Sequence, residues 1–121
     1  MVVKYLLTFL LLFSSVANAE NKPWTDYEKQ LFVAHTALTI ADWSQTRQIV
    51  RQPETYAEQN ILLGKHPSMD KVDLMFVSTL IGSYYIFDSL DNNRQTWLIT
   101  ATVARGLIVG HNLHLGLRIG F

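Results

Sequence analysis

Apolar residues recur at three- and four-residue steps in three parts of the chain, which is the spacing of one face of an α-helix. Thr25 or Asp26 can cap the first of these segments, and Ser68 or Asp70 the second. The first must end before Pro53, because a proline disfavours helix in the residue that precedes it. We therefore predict an all-α protein, a three-helix bundle with helices at about residues 26–51, 69–90 and 94–112.

The C-terminus follows a different pattern. From Leu113 to Phe121 apolar residues alternate with His, Gly or Arg. A period of two is typical of extended chain rather than helix. We expect a short extended C-terminal tail.

The N-terminus has the three parts of a secretory signal peptide. A positively charged start precedes an apolar run over residues 5–16, and the small-residue triplet Ala17-Asn18-Ala19 follows. The apolar run is shorter than the roughly 20 residues of a membrane span. We predict a signal peptide at residues 1–19, with an uncleaved N-terminal anchor as the alternative, and a single helical domain at residues 20–121.

Composition narrows the possible functions. The 121 residues include no cysteine, so no disulfide can stabilise the domain. Ten basic residues balance ten acidic ones, and loss of Lys4 with the signal leaves the mature chain near −1. A nucleic-acid surface normally shows as a basic excess, so we predict no nucleic-acid partner.

Three features favour a membrane location. The second segment carries charge only near its ends, at Asp73 and Asp88, and Gly106 and Gly110 have the GxxxG spacing that lets helices approach closely. Three crossings would place a basic loop in the cytoplasm, as the positive-inside tendency requires. That loop carries Arg47, Arg51, Lys65 and Lys71. We expect a membrane-embedded bundle in the inner membrane, with a soluble periplasmic bundle as the alternative.

Polar residues within the apolar segments predict a buried network. His35, Thr39, Asp42 and Thr46 form one stripe on the first helix, at steps of four, three and four. On the third helix Arg105 and Asn112 also share a face. Neither charge tolerates burial alone, so we expect Asp42 to pair with Arg105. We expect His35 to meet Asn112 or His111 nearby.

The loop before the second helix suggests a different chemistry. Gly64 permits a turn and Pro67 can open a helix, while Glu58, Asn60 and His66 offer polar groups. The alternative to a structural loop is a metal or acid–base cluster of Glu58, His66, Asp42 and His35. The histidines show no HExxH spacing, so we predict no metal ligand set and no cofactor.

Two motifs carry a resemblance to a known family. The chain reads Asp42-Trp43-x-Gln45-Thr46-Arg47 and then Glu58-x-Asn60-x-Leu62-Leu63-Gly64-x-x-Pro67-Ser68. Over about residues 35–112 it resembles a family of small bacterial and phage-type proteins of uncharacterised activity. Ile61 stands where the usual form of the second motif has proline. The resemblance implies a helical, membrane-associated unit and brings no activity with it.

These observations favour a structural or interaction role in the cell envelope. The expected partners are the membrane and either a second copy or another envelope protein, contacted through Gly106 and Gly110. Trp24, Tyr27 and Trp97 lie near segment ends, where aromatic residues anchor proteins at membrane interfaces. The rival hypothesis is a metal-binding or hydrolytic protein that uses Glu58 and His66 with Asp42 and His35.

Overall fold

A computed structural model describes residues 22–55 and 66–121. The predicted signal peptide, Glu58, Asn60 and Gly64 lie outside these residues. In the described ranges the fold is all-helical, with α1 at Asp26–Arg51, α2 at Met69–Asp88 and α3 at Arg94–His114. A short 3₁₀ turn, Asp91–Asn93, joins α2 to α3. The all-α prediction is confirmed, and the helix bounds agree with it to within two residues.

Helix α1 begins at a capping box. The Thr25 hydroxyl accepts from the Glu28 amide at 3.1 Å, and the Glu28 carboxylate accepts from the Thr25 amide at 2.8 Å. This reciprocal pair satisfies two backbone donors that a helix start would leave unpaired. Ser68 caps α2 in a simpler way, by accepting from the Lys71 amide at 3.2 Å. Local sequence therefore sets both helix starts.

Helix α1 is the centre of the bundle. It packs most extensively against α3 and less against α2, while α2 and α3 contact each other little. Contacts of Trp24 with Asp88 and of Arg47 with Asp73 show that α1 and α2 are antiparallel. The molecule consequently has two ends. We call them the turn end, where α2 joins α3, and the tail end, where α1 finishes and the C-terminus lies.

Helix α3 closes in a Schellman motif. The Leu117 amide donates to Asn112 O and the Gly116 amide donates to Leu113 O, each at 3.0 Å. Gly116 has φ 97°, a left-handed conformation that favours glycine. Leu117 is 1% exposed, so the motif directs the chain back onto the bundle.

The tail then lies along α1. The Gln48 side chain both donates to Arg118 O and accepts from the Arg118 amide at 2.9 Å. The Gly120 amide donates to Ser44 Oγ at 3.0 Å, and the Phe121 ring packs edge-on against Trp43 with centroids 5.2 Å apart. The alternation predicted an extended tail from Leu113 onward, but Leu113 and His114 belong to α3 and residues 115–116 form its closing turn. Only residues 117–121 lie beyond the helix and this turn, and side chains of α1 determine their position.

The expectation of three membrane-crossing helices is not supported. Among the described residues, no helix combines the length and the apolar character needed to cross a bilayer. The physical reason lies in polar residues within the segments. Asp42 interrupts α1, Arg105 interrupts α3, and the first turns of α2 carry Asp70, Lys71 and Asp73.

Candidate functional site: the buried Asp42 network

The buried face of α1 is polar at its centre. His35, Thr39 and Asp42 are each at most 6% exposed, and Gln45 and Thr46 at most 2%. The two threonines donate to backbone carbonyls one turn earlier, Thr39 to His35 O at 2.8 Å and Thr46 to Asp42 O at 2.9 Å. These bonds leave Asp42 and Gln45 as the groups that reach across to α3.

Asp42 is the acceptor at the centre of this site. Arg105 Nη1 donates to Asp42 Oδ2 at 2.6 Å, and Asn112 Nδ2 donates to Asp42 Oδ1 at 3.3 Å. Asn112 also donates to Gln45 Oε1 at 3.0 Å, and Gln45 Nε2 donates to Val109 O at 3.3 Å. We call Asp42, Gln45, Arg105 and Asn112 the Asp42 network. Its charges neutralise each other, which is the condition for burying either one.

His35 lies outside the hydrogen bonds of this network. Its ring packs edge-on against Phe87 with centroids 5.6 Å apart, and its Nδ1 has no hydrogen-bond partner among the described residues. Burial, and then the positive charge of Arg105, lower the pKa of His35 to about 4. His35 is therefore neutral at physiological pH. The expected contact with Asn112 or His111 is absent, because Asn112 is directed to Asp42 and Gln45 and His111 is exposed.

The loop residues do not join the buried site in the described structure. His66 is exposed just before α2, Pro67 is buried there, and both precede the Ser68 cap. Across residues 22–55 and 66–121, no group of three or more His, Cys, Asp or Glu side chains is arranged to hold a metal ion. The proposed cluster with Glu58 therefore has no support from its described members, Asp42, His35 and His66.

The two glycines of α3 differ in their surroundings. A methyl group added at Gly106 would lie 3.7 Å from Leu38 Cδ1, so this glycine faces α1 within the chain. At Gly110 an added methyl would meet no described atom within 4 Å. Of the two glycines in the GxxxG spacing, Gly106 thus packs against α1 and Gly110 lies beside open space.

A second polar centre, at the turn end, was missed by sequence reasoning. Arg94 is fully buried, and its guanidinium donates to four backbone carbonyls between 2.7 and 3.3 Å, those of Lys22, Pro23, Phe87 and Asp88. It also lies 4.8 Å above the Trp24 ring and 3.5 Å from the Glu28 carboxylate. Arg94 thereby ties the chain before α1 to the α2–α3 turn.

Glu28 is the carboxylate partner of that centre. Burial acts to raise its pKa, but hydrogen bonds from Thr25 and the charge and hydrogen bonding of Arg94 together lower it below 4.5. Glu28 therefore remains ionised beside Arg94 at neutral pH. A sequence signal for this centre existed, since an arginine at the first position of a helix opposes the helix dipole and needs another partner.

A third ion pair lies at the tail end. Arg47 Nη1 approaches both oxygens of Asp73 at 2.8 Å, and Trp43 Nε1 donates to Asp73 Oδ1 at 2.8 Å. Phe121 packs on the Arg47 guanidinium at 5.5 Å. Arg47, which sequence analysis assigned to a basic cytoplasmic loop, is thus engaged within the bundle.

No known protein family, curated protein or solved structure matches the chain. The resemblance carried by the Asp42-Trp43 and Glu58-to-Ser68 motifs therefore stays a prediction.

Proposed function

We propose that this chain is a small cell-envelope protein with a structural or interaction role, and that it associates with the inner membrane through its apolar outer surface. The observation that carries the proposal is a set of large, exposed apolar side chains outside an interior that is partly polar. Asp42, Gln45 and Thr46 are buried, whereas Val33 is 67% exposed and Leu107 is 70% exposed. When exposed apolar side chains form a contiguous patch, that patch marks a surface that binds protein or membrane.

The exposed apolar residues form a band between the two ends of the bundle. Residues 74–87 of α2 contain no charged residue. On α1, Asp42 is the only charged residue between positions 30 and 46. On α3 the only charged residue between Arg94 and Arg118 is Arg105. We call the exposed side chains of this region the apolar band, with members Val33, Ile40, Val77, Ile81, Val103 and Leu107.

The band is roughly 20 Å tall, because 14 residues of α2 rise about 1.5 Å each. Charged side chains flank it at both ends, in the Arg94 centre and in the Arg47–Asp73 pair. The two charges inside it, Asp42 and Arg105, are paired with each other. Their pairing removes both charges from the surface that would contact lipid.

Aromatic residues support the same orientation. Tyr27 is 49% exposed and Trp97 is 54% exposed, and both lie near the turn end. Amphipathic rings of this kind favour the boundary between headgroups and acyl chains. The turn end would then lie at a headgroup layer, with the apolar band in contact with lipid.

Fractionation of cells expressing the full, untagged chain tests the proposal. We expect the protein in the inner-membrane fraction after a carbonate wash, with an intact mass that begins at Glu20. Recovery in the soluble periplasm would overturn membrane association, and a mass that includes residues 1–19 would overturn cleavage.

A matched pair of variants tests the band itself. The double variant Val33→Ser/Leu107→Ser should shift the protein toward the washed-out fraction while its helical circular dichroism is unchanged. Ile119→Ser is the control, since Ile119 is 57% exposed but lies in the tail beside Arg118. Equal retention of the double variant and the control would show that the band does not hold the protein at the membrane.

A further inference from the structure

A groove opens at the turn end between the start of α1 and the end of α2. Its volume is about 450 Å³. Three of its six lining residues are aromatic and one is charged. The residues around it are Pro23, Trp24, Lys29, Phe32, Val33 and Tyr84.

The aromatic walls of this groove are held in place. Trp24 and Tyr84 are nearly parallel, with ring centroids 5.9 Å apart, and Phe32 packs edge-on against Trp24 at 5.4 Å. Trp24 is fixed further because its Nε1 donates to Asp88 at 2.7 Å and Arg94 covers its ring. A ligand would therefore meet a preformed apolar surface, which lowers the entropy cost of binding.

Lys29 gives the groove a positive charge. It lies one turn before Phe32 and Val33 on the same face of α1. Within the described part of the chain, no carboxylate lies within salt-bridge distance of its ammonium group. The other cations of the turn end are engaged, Lys22 with Asn92 at 3.1 Å and Arg94 with the carbonyls around it.

An apolar stripe leads from Lys29 into the apolar band. Val33, Ala37 and Ile40 follow at steps of four, four and three, and all three are exposed. The stripe runs about 16 Å along the helix at 1.5 Å per residue. A single cation at the head of an apolar stripe is complementary to an amphiphile with one negative charge and a hydrocarbon chain.

We propose that this groove binds an anionic phospholipid, with the phosphate at Lys29 and an acyl chain along Val33, Ala37 and Ile40. The proposal rests on the proposed membrane association and deepens it by naming the lipid class. An attraction of about 1 kcal/mol for a lysine near an anionic lipid surface corresponds to roughly a fivefold change in affinity.

Vesicle flotation of the purified full chain tests the proposal. One set of vesicles is phosphatidylcholine alone, and the other is an equimolar mixture of phosphatidylcholine and phosphatidylglycerol. We expect wild type to bind the mixed vesicles about fivefold more tightly. Lys29→Gln should lower the affinity for the mixed vesicles to the affinity for phosphatidylcholine vesicles. Lys22→Gln removes the same charge outside the groove and should lower the affinity for the mixed vesicles less.

A second readout places the lipid in the groove. In the Trp43→Phe/Trp97→Phe background, brominated phosphatidylglycerol should quench Trp24 fluorescence more than brominated phosphatidylcholine does. Lys29→Gln should remove that difference. Lys29 is exposed, so circular dichroism of this variant should match that of its parent.

The other outcomes overturn one proposal or the other. Tight binding to both vesicle types with no effect of Lys29→Gln would overturn lipid selection while membrane association survives. If the Lys22 and Lys29 variants weaken binding equally, the preference for anionic vesicles would come from general surface charge. That result would also overturn the proposal that the groove binds the lipid. Failure to float with any vesicle would overturn the proposed function. Lipid-free self-association that Lys29→Gln abolishes would assign the groove to a second copy.

Discussion

Asp42 and Arg105 form the charged pair around which the buried site is built. Their side chains are 8% and 20% exposed, so removal of either partner leaves a largely buried charge without its counterion. Such a loss typically costs 3–5 kcal/mol, whereas replacing both members with apolar groups is often close to neutral.

We therefore expect Asp42→Leu and Arg105→Leu each to lower the free energy of unfolding by about 3 kcal/mol. The double variant should lose clearly less than the sum of the two. Denaturant unfolding of all four proteins, in one buffer or detergent that keeps wild type folded, gives the coupling energy. Additive losses would mean that the 2.6 Å contact contributes no coupling.

His35 provides a prediction about pH. Its pKa is about 4 in the folded protein, below the ordinary value of 6.5, because burial and Arg105 disfavour the charged ring. Between these values the unfolded chain binds more protons than the folded chain. The free energy of unfolding should therefore fall as pH falls from 6.5 towards 4, by up to about 1.4 kcal/mol per pH unit.

Unfolding measured from pH 7 to pH 5 tests this prediction. Glu28, whose pKa is below 4.5, lowers the free energy of unfolding only when the pH falls further. His35→Gln should flatten the dependence over this range. His111→Gln is the control, because His111 is exposed on α3. A wild-type slope unchanged by His35→Gln would assign the acid sensitivity to other groups.

At the scale of elements, one side chain of α1 makes two of the three hydrogen bonds that hold the C-terminal tail within the described part of the chain. Gln48 makes two hydrogen bonds to the backbone of Arg118, and a typical hydrogen bond contributes about 1 kcal/mol. We expect Gln48→Ala to release residues 118–121 while α1 and α3 stay folded.

Amide hydrogen exchange at Arg118 and Gly120 measures this release, because their amides donate to Gln48 and Ser44. Both should exchange at least fivefold faster in Gln48→Ala. Gln30→Ala, an exposed change on the same helix, should leave them unchanged. Exchange that is equally slow in both variants would mean that Leu117, Phe121 and the Ser44–Gly120 hydrogen bond hold the tail without Gln48.

Elements differ in how far the sequence determines them. The Thr25–Glu28 capping box and Ser68 are local signals, so the helix starts follow from them directly. The meeting of Asp42 with Arg105 follows from a physical constraint, since two opposite charges in apolar segments need each other. The Gln48–Arg118 contact spans 70 positions and no local pattern encodes it. Arg94 carried a local signal as an arginine at a helix start, but its acceptors are carbonyls that only the fold assembles.

At the scale of the whole molecule, large apolar side chains are divided between a small buried core and the exposed surface. Leu98 and Leu107 of α3 show the contrast on one helix, at 0% and 70% exposure. In a protein that folds by burying its apolar residues, only the first should contribute strongly to stability. The second should matter for whatever covers the apolar band.

The same substitution at both positions separates these roles. Leu98→Ala should lower the free energy of unfolding by about 2–5 kcal/mol, because it leaves a cavity in a closed site. Leu107→Ala should change it by no more than about 0.5 kcal/mol in detergent-free buffer, as exposed positions do. In vesicle flotation the effects should be reversed. Leu107→Ala should weaken vesicle binding, whereas folded Leu98→Ala should bind like wild type. A large loss of stability for Leu107→Ala in buffer would show that Leu107 packs against protein there, and the band would then be an interface between copies rather than a membrane surface.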